Sequence, residues 1–134
     1  MYDPQYVSVK IALYSQDNGS VLVMCYPKRD PGQLSYGLPG GHIDGYEKPD
    51  DALRRELQEE LSLIVEEPER RDFFRKYNNG DLVLAYTAKA TDQMVITPTN
   101  PHKEYAIWVS RLEVETLPGL GKVYKEFILR KWPT

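Results

Sequence analysis

Val7, Val9, Ile11 and Leu13 alternate with Ser8, Lys10 and Ala12, so Tyr6 to Tyr14 is predicted as a strand. Gln16-Asp17-Asn18-Gly19 is a turn signal, and the more continuously apolar run Val21 to Tyr26 follows it. Together they predict a hairpin at the centre of a sheet. From Pro49 to Leu61 the period changes. Leu53, Leu57 and Leu61 recur every fourth residue, which predicts a helix with one apolar face. Pro49 suits a first helical position, and Asp50 and Asp51 favour the positive helix end, whereas Lys48 is a poor N-cap. Leu63 to Val65 reads as a short strand and Glu66 to Arg71 as a polar loop. Asp72 to Lys89 reads as a hairpin turning at Asn78-Asn79-Gly80-Asp81, with Leu82 to Ala90 as its clear strand. Thr91 to Lys103 is a loop punctuated by Pro98, Asn100 and Pro101. Tyr105 to Val109 is a strand, and a short helix near Leu112 to Thr116 ends at Leu117-Pro118-Gly119. Lys122 to Trp132 is a final helix with Val123, Phe127, Ile128 and Leu129 on its apolar side. Strands on both sides of one amphipathic helix, with a terminal helix, give α/β or α+β: a mixed sheet packed between helices.

The central helix also carries charge. Glu56, Glu59 and Glu60 follow Arg55. At about 100° per residue, Glu60 falls about 20° from Leu53 and so shares the apolar side, with Glu56 about 40° away. A solvated acidic face, with Arg55 paired to Glu59, is the ordinary reading of such a helix. The place of Glu60 in the apolar stripe argues against it, because a carboxylate there needs a cation or a donor. Only oxygens are offered, with no His or Cys nearby on the helix, which suits a hard cation such as Mg²⁺ or Mn²⁺.

Gly41, Glu47, Arg55, Glu56, Leu57, Glu59, Glu60, Ser62 and Leu63 stand at the fixed positions of a known pattern. The stretch resembles the Nudix box, with Ser62 in place of its final glycine and Tyr46 where a glycine often precedes Glu47. Tyr36-Gly37-Leu38-Pro39-Gly40 resembles the aromatic-Gly-Leu-Pro-Gly lead-in of that family. The resemblance implies an α/β/α Nudix sandwich with a mixed central sheet, as one domain over residues 1–134. It implies a Mg²⁺- or Mn²⁺-dependent hydrolase that cleaves a diphosphate linkage in a nucleoside di- or triphosphate derivative, releasing a nucleotide or phosphorylated product. Glu56, Glu59, Glu60 and the Gly41 carbonyl would hold the metal, and Arg55 would orient the glutamates. Glu47 would anchor its loop to the helix, reach the metal through water, or contact substrate. Glu56 and Glu104 are both candidates for the general base, Glu104 because the family often has an acid at a comparable place. Arg29, just after the second strand, is the expected phosphate contact, since a guanidinium grips phosphate with two donors.

Composition narrows the alternatives. With 134 residues, 41% hydrophobic and 28% charged, the chain has the length and make-up of one globular domain. The net charge is −3 with Lys and Arg scattered, which gives no footprint for long nucleic acid. The expected partner is therefore a small nucleotide or other organic pyrophosphate. Self-association as a homodimer is left open. No run approaches the roughly 18 apolar residues of a membrane span. Met1 to Lys10 lacks a leader pattern, and the single Cys25, read as core filler, fits a reducing compartment; the cytoplasm is expected. His42 and His102 are lone loop histidines outside any metal spacing. Tyr6, Tyr36 and Tyr77 read as packing more than as platforms for a base. Two other functions fit less well. A nucleotide sensor that does not cleave has no need of all three glutamates. An RNA 5′ pyrophosphohydrolase fits poorly with the negative net charge.

Overall fold

The computed structural model describes residues 7–27, 34–75, 81–91 and 104–133. In chain order these form β1 (Val7–Tyr14), β2 (Ser20–Pro27), β3 (Leu34–Gly37), β4 (Gly40–His42) and α1 (Pro49–Leu61). Then come β5 (Glu69–Arg75), β6 (Leu82–Lys89), β7 (Tyr105–Ser110), α2 (Arg111–Thr116) and α3 (Lys122–Arg130).

β1 lies parallel to β6 along its whole length, from Val7 opposite Leu82 to Tyr14 opposite Lys89. A parallel neighbour needs a crossover, and the segment holding α1 supplies it. The remaining pairings are antiparallel. β1 pairs with β2 and β4, β2 with β3 and β7, and β5 with β6, the last with an irregularity between Arg70 and Asp72. Strand alternation divides the side chains between two faces. Val9, Ile11, Leu13, Leu22, Met24 and Tyr86 meet Leu53, Leu57 and Leu61 of α1 on one side. Ala12, Tyr14, Val21, Val23, Val83 and Ala85 meet Val114 of α2 and Phe127 and Ile128 of α3 on the other. The mixed sheet between helices is the α/β architecture expected, and each fully buried leucine contributes about 1.5–3 kcal/mol to it.

The α3 layer is tied down by directed contacts. The Tyr14 hydroxyl donates to the Ile128 carbonyl at 2.8 Å, and the Trp132 indole donates to the Asn18 carbonyl at 2.9 Å. The rings of Tyr14 and Trp132 meet edge to face at 5.2 Å. Arg130 pairs with Asp72 of β5.

Several sequence expectations change. The β1–β2 hairpin forms, but its strands pair only at the hairpin end, Tyr14 opposite Val21. Beyond it they part company, β1 taking β4 as a partner and β2 taking β3. Both added strands are short and rich in glycine, so no alternation announces them. Leu63 to Val65 is not a strand; Leu63 and Val65 are buried in the α1 layer. Glu69 to Arg71 belongs to β5 and not to a loop. β5 ends the sheet on one side among the described strands, and a strand in that place can keep a polar sequence. His42 lies in β4 and not in a loop, and α3 ends at Arg130. Arg29, Tyr6, Tyr77 and His102 lie outside the described residues.

Candidate active site at the junction of β4 and α1

Two adjacent glycines allow α1 to cross close to the sheet. Gly40 has φ +137°, and a Cβ there would lie 1.9 Å from the Val9 carbonyl oxygen. Only glycine permits β4 to run so close to β1. A Cβ on Gly41 would lie 2.4 Å from the carboxyl carbon of Glu56. The bare backbone of Gly41 is therefore what the Glu56 carboxylate packs against.

The loop between β4 and α1 folds on itself and is held from the helix. The Asp44 amide donates to Glu47 Oε1 at 3.0 Å, and the Glu47 amide donates to the Asp44 carbonyl at 3.1 Å. Arg55 then grips Glu47 with two donors, Nε to Oε2 at 2.7 Å and Nη2 to Oε1 at 2.9 Å. Its Nη2 also donates to the His42 carbonyl at 3.0 Å and lies 3.4 Å from Asp44 Oδ2. Its Nη1 reaches Glu56 Oε1 at 3.0 Å and Glu59 Oε2 at 3.2 Å. One guanidinium thus joins β4, the loop and two successive turns of α1 with charge-assisted bonds. The Arg55 hydrogen bonds, with that from the Asp44 backbone, hold the Glu47 carboxyl down at about 2.

Glu60 is governed by the opposite force. Burial pushes its carboxyl up to about 7; the Glu104 and Glu56 charges push the same way, while Lys10 and a Gly40 backbone hydrogen bond pull it back. Glu104 stands just before β7, and Tyr26, at the end of β2, feels both Glu60 and Glu104 after its own burial. The fold thus brings Glu56 to Gly41 and Glu60 to the Gly40 backbone, with the Glu104 charge acting on Glu60. Glu59 is more exposed and turned to Arg55. Among the described residues, no three carboxylate, imidazole or thiol groups are already gathered as a metal-binding set.

Arg55, Glu47, Glu56, Glu59, Glu60 and Gly41 therefore share one region, and Glu104, just before β7, acts on Glu60 through its charge. Sequence reasoning missed three participants. Lys10 carried a signal, the one charged residue of a mostly apolar strand. Tyr26 and Asp44 carried none, because their partners are set by how β2, β7 and the loop come together. Ser62 ends α1 in the left-handed region, at φ 51° and ψ 38°; its amide donates to the Gln58 carbonyl and the Leu63 amide donates to the Leu57 carbonyl.

The chain is similar in fold to many solved structures. One is a MutT Nudix hydrolase from Burkholderia pseudomallei, 24% identical, TM-score 0.73, covering 98% of this chain and 99% of that one. Another is the Nudix domain of NrtR from Shewanella oneidensis, complexed with ADP-ribose, 21% identical, TM-score 0.75, covering 95% and 86%. A third is a MutT protein from Methanosarcina mazei, 16% identical, TM-score 0.72, covering 97% and 94%. No curated protein matches the sequence significantly. The family model for the NUDIX domain matches residues 4–130. Because that match runs from before β1 to the last residue of α3, the chain belongs to the Nudix hydrolase family.

Proposed function

We propose that the protein is a divalent-cation-dependent pyrophosphohydrolase acting on a diphosphate linkage in a nucleoside di- or triphosphate derivative. The observation that carries this reading is Glu56 against Gly41 and the buried Glu60 beside Gly40, within the field of Glu104, with Glu60 pushed up to about 7. A merely solvated acidic face has no reason to bury one of its carboxylates among the others.

The donor set fits a hard cation. Every available side-chain ligand is an oxygen, and the missing Cβ of Gly41 leaves its backbone open against Glu56. Glu56, Glu59, Glu60 and the Gly41 carbonyl would hold Mg²⁺ or Mn²⁺. When bound, the cation shields the negative charge of the two phosphates. The chain's own residues do the rest. Arg55 offsets the repulsion between Glu56 and Glu59 and fixes their rotamers. Glu47, taken up by Arg55 and Asp44, pins the loop to the helix. Glu104 or Glu56 accepts the proton of the attacking water. Arg29 would grip a phosphate, a role resting on its residue type and place in sequence.

The ADP-ribose held by the Shewanella domain supports including a nucleoside diphosphate sugar among the substrates. Among the described residues no helix is long and apolar enough to cross a membrane, and the buried Cys25 thiol suits a reducing compartment such as the cytoplasm. The test is a hydrolysis panel of nucleoside triphosphates, nucleotide sugars, ADP-ribose and dinucleoside polyphosphates, with products read by mass. Cleavage between two phosphates that stops on chelation is expected. Activity that survives full chelation, or no cleavage of any member, overturns the reading.

A further inference from the structure

Asp50 is a further carboxylate on the sheet-facing side of α1, and the chemistry above leaves it unused. At about 100° per residue it falls about 20° from both Leu57 and Leu61. It stands in the first turn of a helix that has no side-chain cap. Its partner is Tyr86 of β6, whose hydroxyl donates to Asp50 Oδ1 at 2.6 Å. The Tyr86 ring is fully buried in the layer that Leu53, Leu57 and Leu61 fill. The hydroxyl thus comes from beneath the leucine face and meets the helix at its start. Arg70, directly opposite Tyr86 in the β5–β6 pair, hydrogen-bonds to the same hydroxyl.

Arg70 reaches that face because β5 is irregular. Tyr86 packs toward α1, and Ala85 packs toward α3. Asp72 stands opposite Ala85 and meets Arg130 of α3. Two residues that far apart on an unbroken strand would share a face. The extra residue between them, Arg71, sends Arg70 to Tyr86 and Asp72 to α3. Arg70, Tyr86 and Asp50 therefore tie β5 and β6 to the N-terminal end of α1. Farther along, Arg55 and the bare Gly41 backbone hold the helix at Glu56. Leucine packing is non-directional, so it leaves the helix axis free to turn over the sheet. Two directed attachments on one rigid rod fix its tilt.

We propose that Tyr86, held by Arg70 and donating to Asp50, is a positioning residue: it sets the tilt of α1 and thereby the placement of the Glu56 and Glu60 carboxylates toward a divalent cation. This rests on the hydrolase reading for its effect on turnover. Its effect on cation binding stands apart from that reading. Ligand distances in a metal site are set to within about 0.2 Å, so a small turn of the helix is felt there.

The experiment compares wild type with Tyr86→Phe, Asp50→Ala and Asp50→Asn. Mn²⁺ affinity is read from the electron paramagnetic resonance signal of the free ion, and stability from melts in chelator. Turnover is read on a substrate that the hydrolysis panel gives. Tyr86→Phe keeps the ring and leaves the exposed Asp50 and Arg70 to water, so its melt in chelator is expected within a few degrees of wild type. It should bind Mn²⁺ about 5- to 10-fold more weakly, with kcat lowered by a similar factor and KM held. Asp50→Ala should match it. Asp50→Asn still accepts the bond and should restore the wild-type Mn²⁺ affinity, which separates the bond from the charge. Wild-type Mn²⁺ affinity in Tyr86→Phe, an Asn variant as weak as the Ala one, or a wild type that binds no Mn²⁺ overturns the proposal. Because Mn²⁺ binding is read without turnover, a protein that binds the cation but cleaves nothing sinks the hydrolase reading while Tyr86 is still judged by its affinity.

Discussion

Gly40 and Gly41 are neighbours with different duties. Alanine at Gly40 would place a Cβ against the Val9 backbone at a positive φ, and neither can move aside. Gly40→Ala is expected to destabilise by more than about 2 kcal/mol, read in urea melts. Alanine at Gly41 meets only the end of the Glu56 side chain. Gly41→Ala should keep most of its stability and lose activity, because Glu56 must turn away. Equal losses of stability in both would contradict this. Glu60 offers a test by pH. Its ordinary value of 4.5 is raised to about 7, so the folded state holds the proton more tightly than the unfolded chain. The resulting stability is present below about pH 4.5 and is lost as pH rises through 7. In chelator, Glu60→Gln should therefore gain on wild type between pH 5 and 8, while Mg²⁺ should raise the wild-type melting temperature and do little for the variant. Calorimetry across that range decides. A variant clearly less stable at pH 8 in chelator would mean that the Gly40 and Lys10 contacts outweigh the burial of the charge.

Helix α1 is stable through its leucine face and restrained through Arg55. Its N-terminus has Pro49 and two acids but no side-chain cap, and its C-terminus uses Ser62 in a conformation that costs a non-glycine residue about 1 kcal/mol. Ser62→Gly should raise stability by about 0.5–1 kcal/mol in denaturant melts, with turnover unchanged. A drop in turnover would mean that the helix end shapes the site. Arg55→Ala removes the donors to Glu47, His42, Glu56 and Glu59 at once. Turnover should fall by at least about a hundredfold, with KM affected less, since carboxylates free to repel one another no longer hold a preorganised geometry.

Taken across the molecule, the proposed chemistry depends on two separate segments meeting. Loss of one ligand to a cation typically removes several kcal/mol of transition-state stabilisation. Glu59→Gln and Glu60→Gln should each lower turnover by at least about a hundredfold. Glu104→Gln should fall between these and wild type, and an unchanged rate would assign Glu104 to the surface. Steady-state rates at saturating Mg²⁺ check all three.

The leucine spacing of α1, the alternation of β1 and the oxygen-only glutamate set were legible because each depends on residues close in sequence. Local periodicity places side chains on one face whatever the rest of the chain does. The residues of the box, with Glu47 eight positions before Arg55, are near enough for the same reasoning. β3, β4 and the polar part of β5 were not legible, because short or edge strands exist only through the partners they meet. The burial of Glu60 and its approach to Glu104 and Lys10 were set when β1 and β2 diverged and α1 came down over β4. Burial and the spacing of charges depend on contacts between distant segments, and no pattern along a single chain encodes those distances.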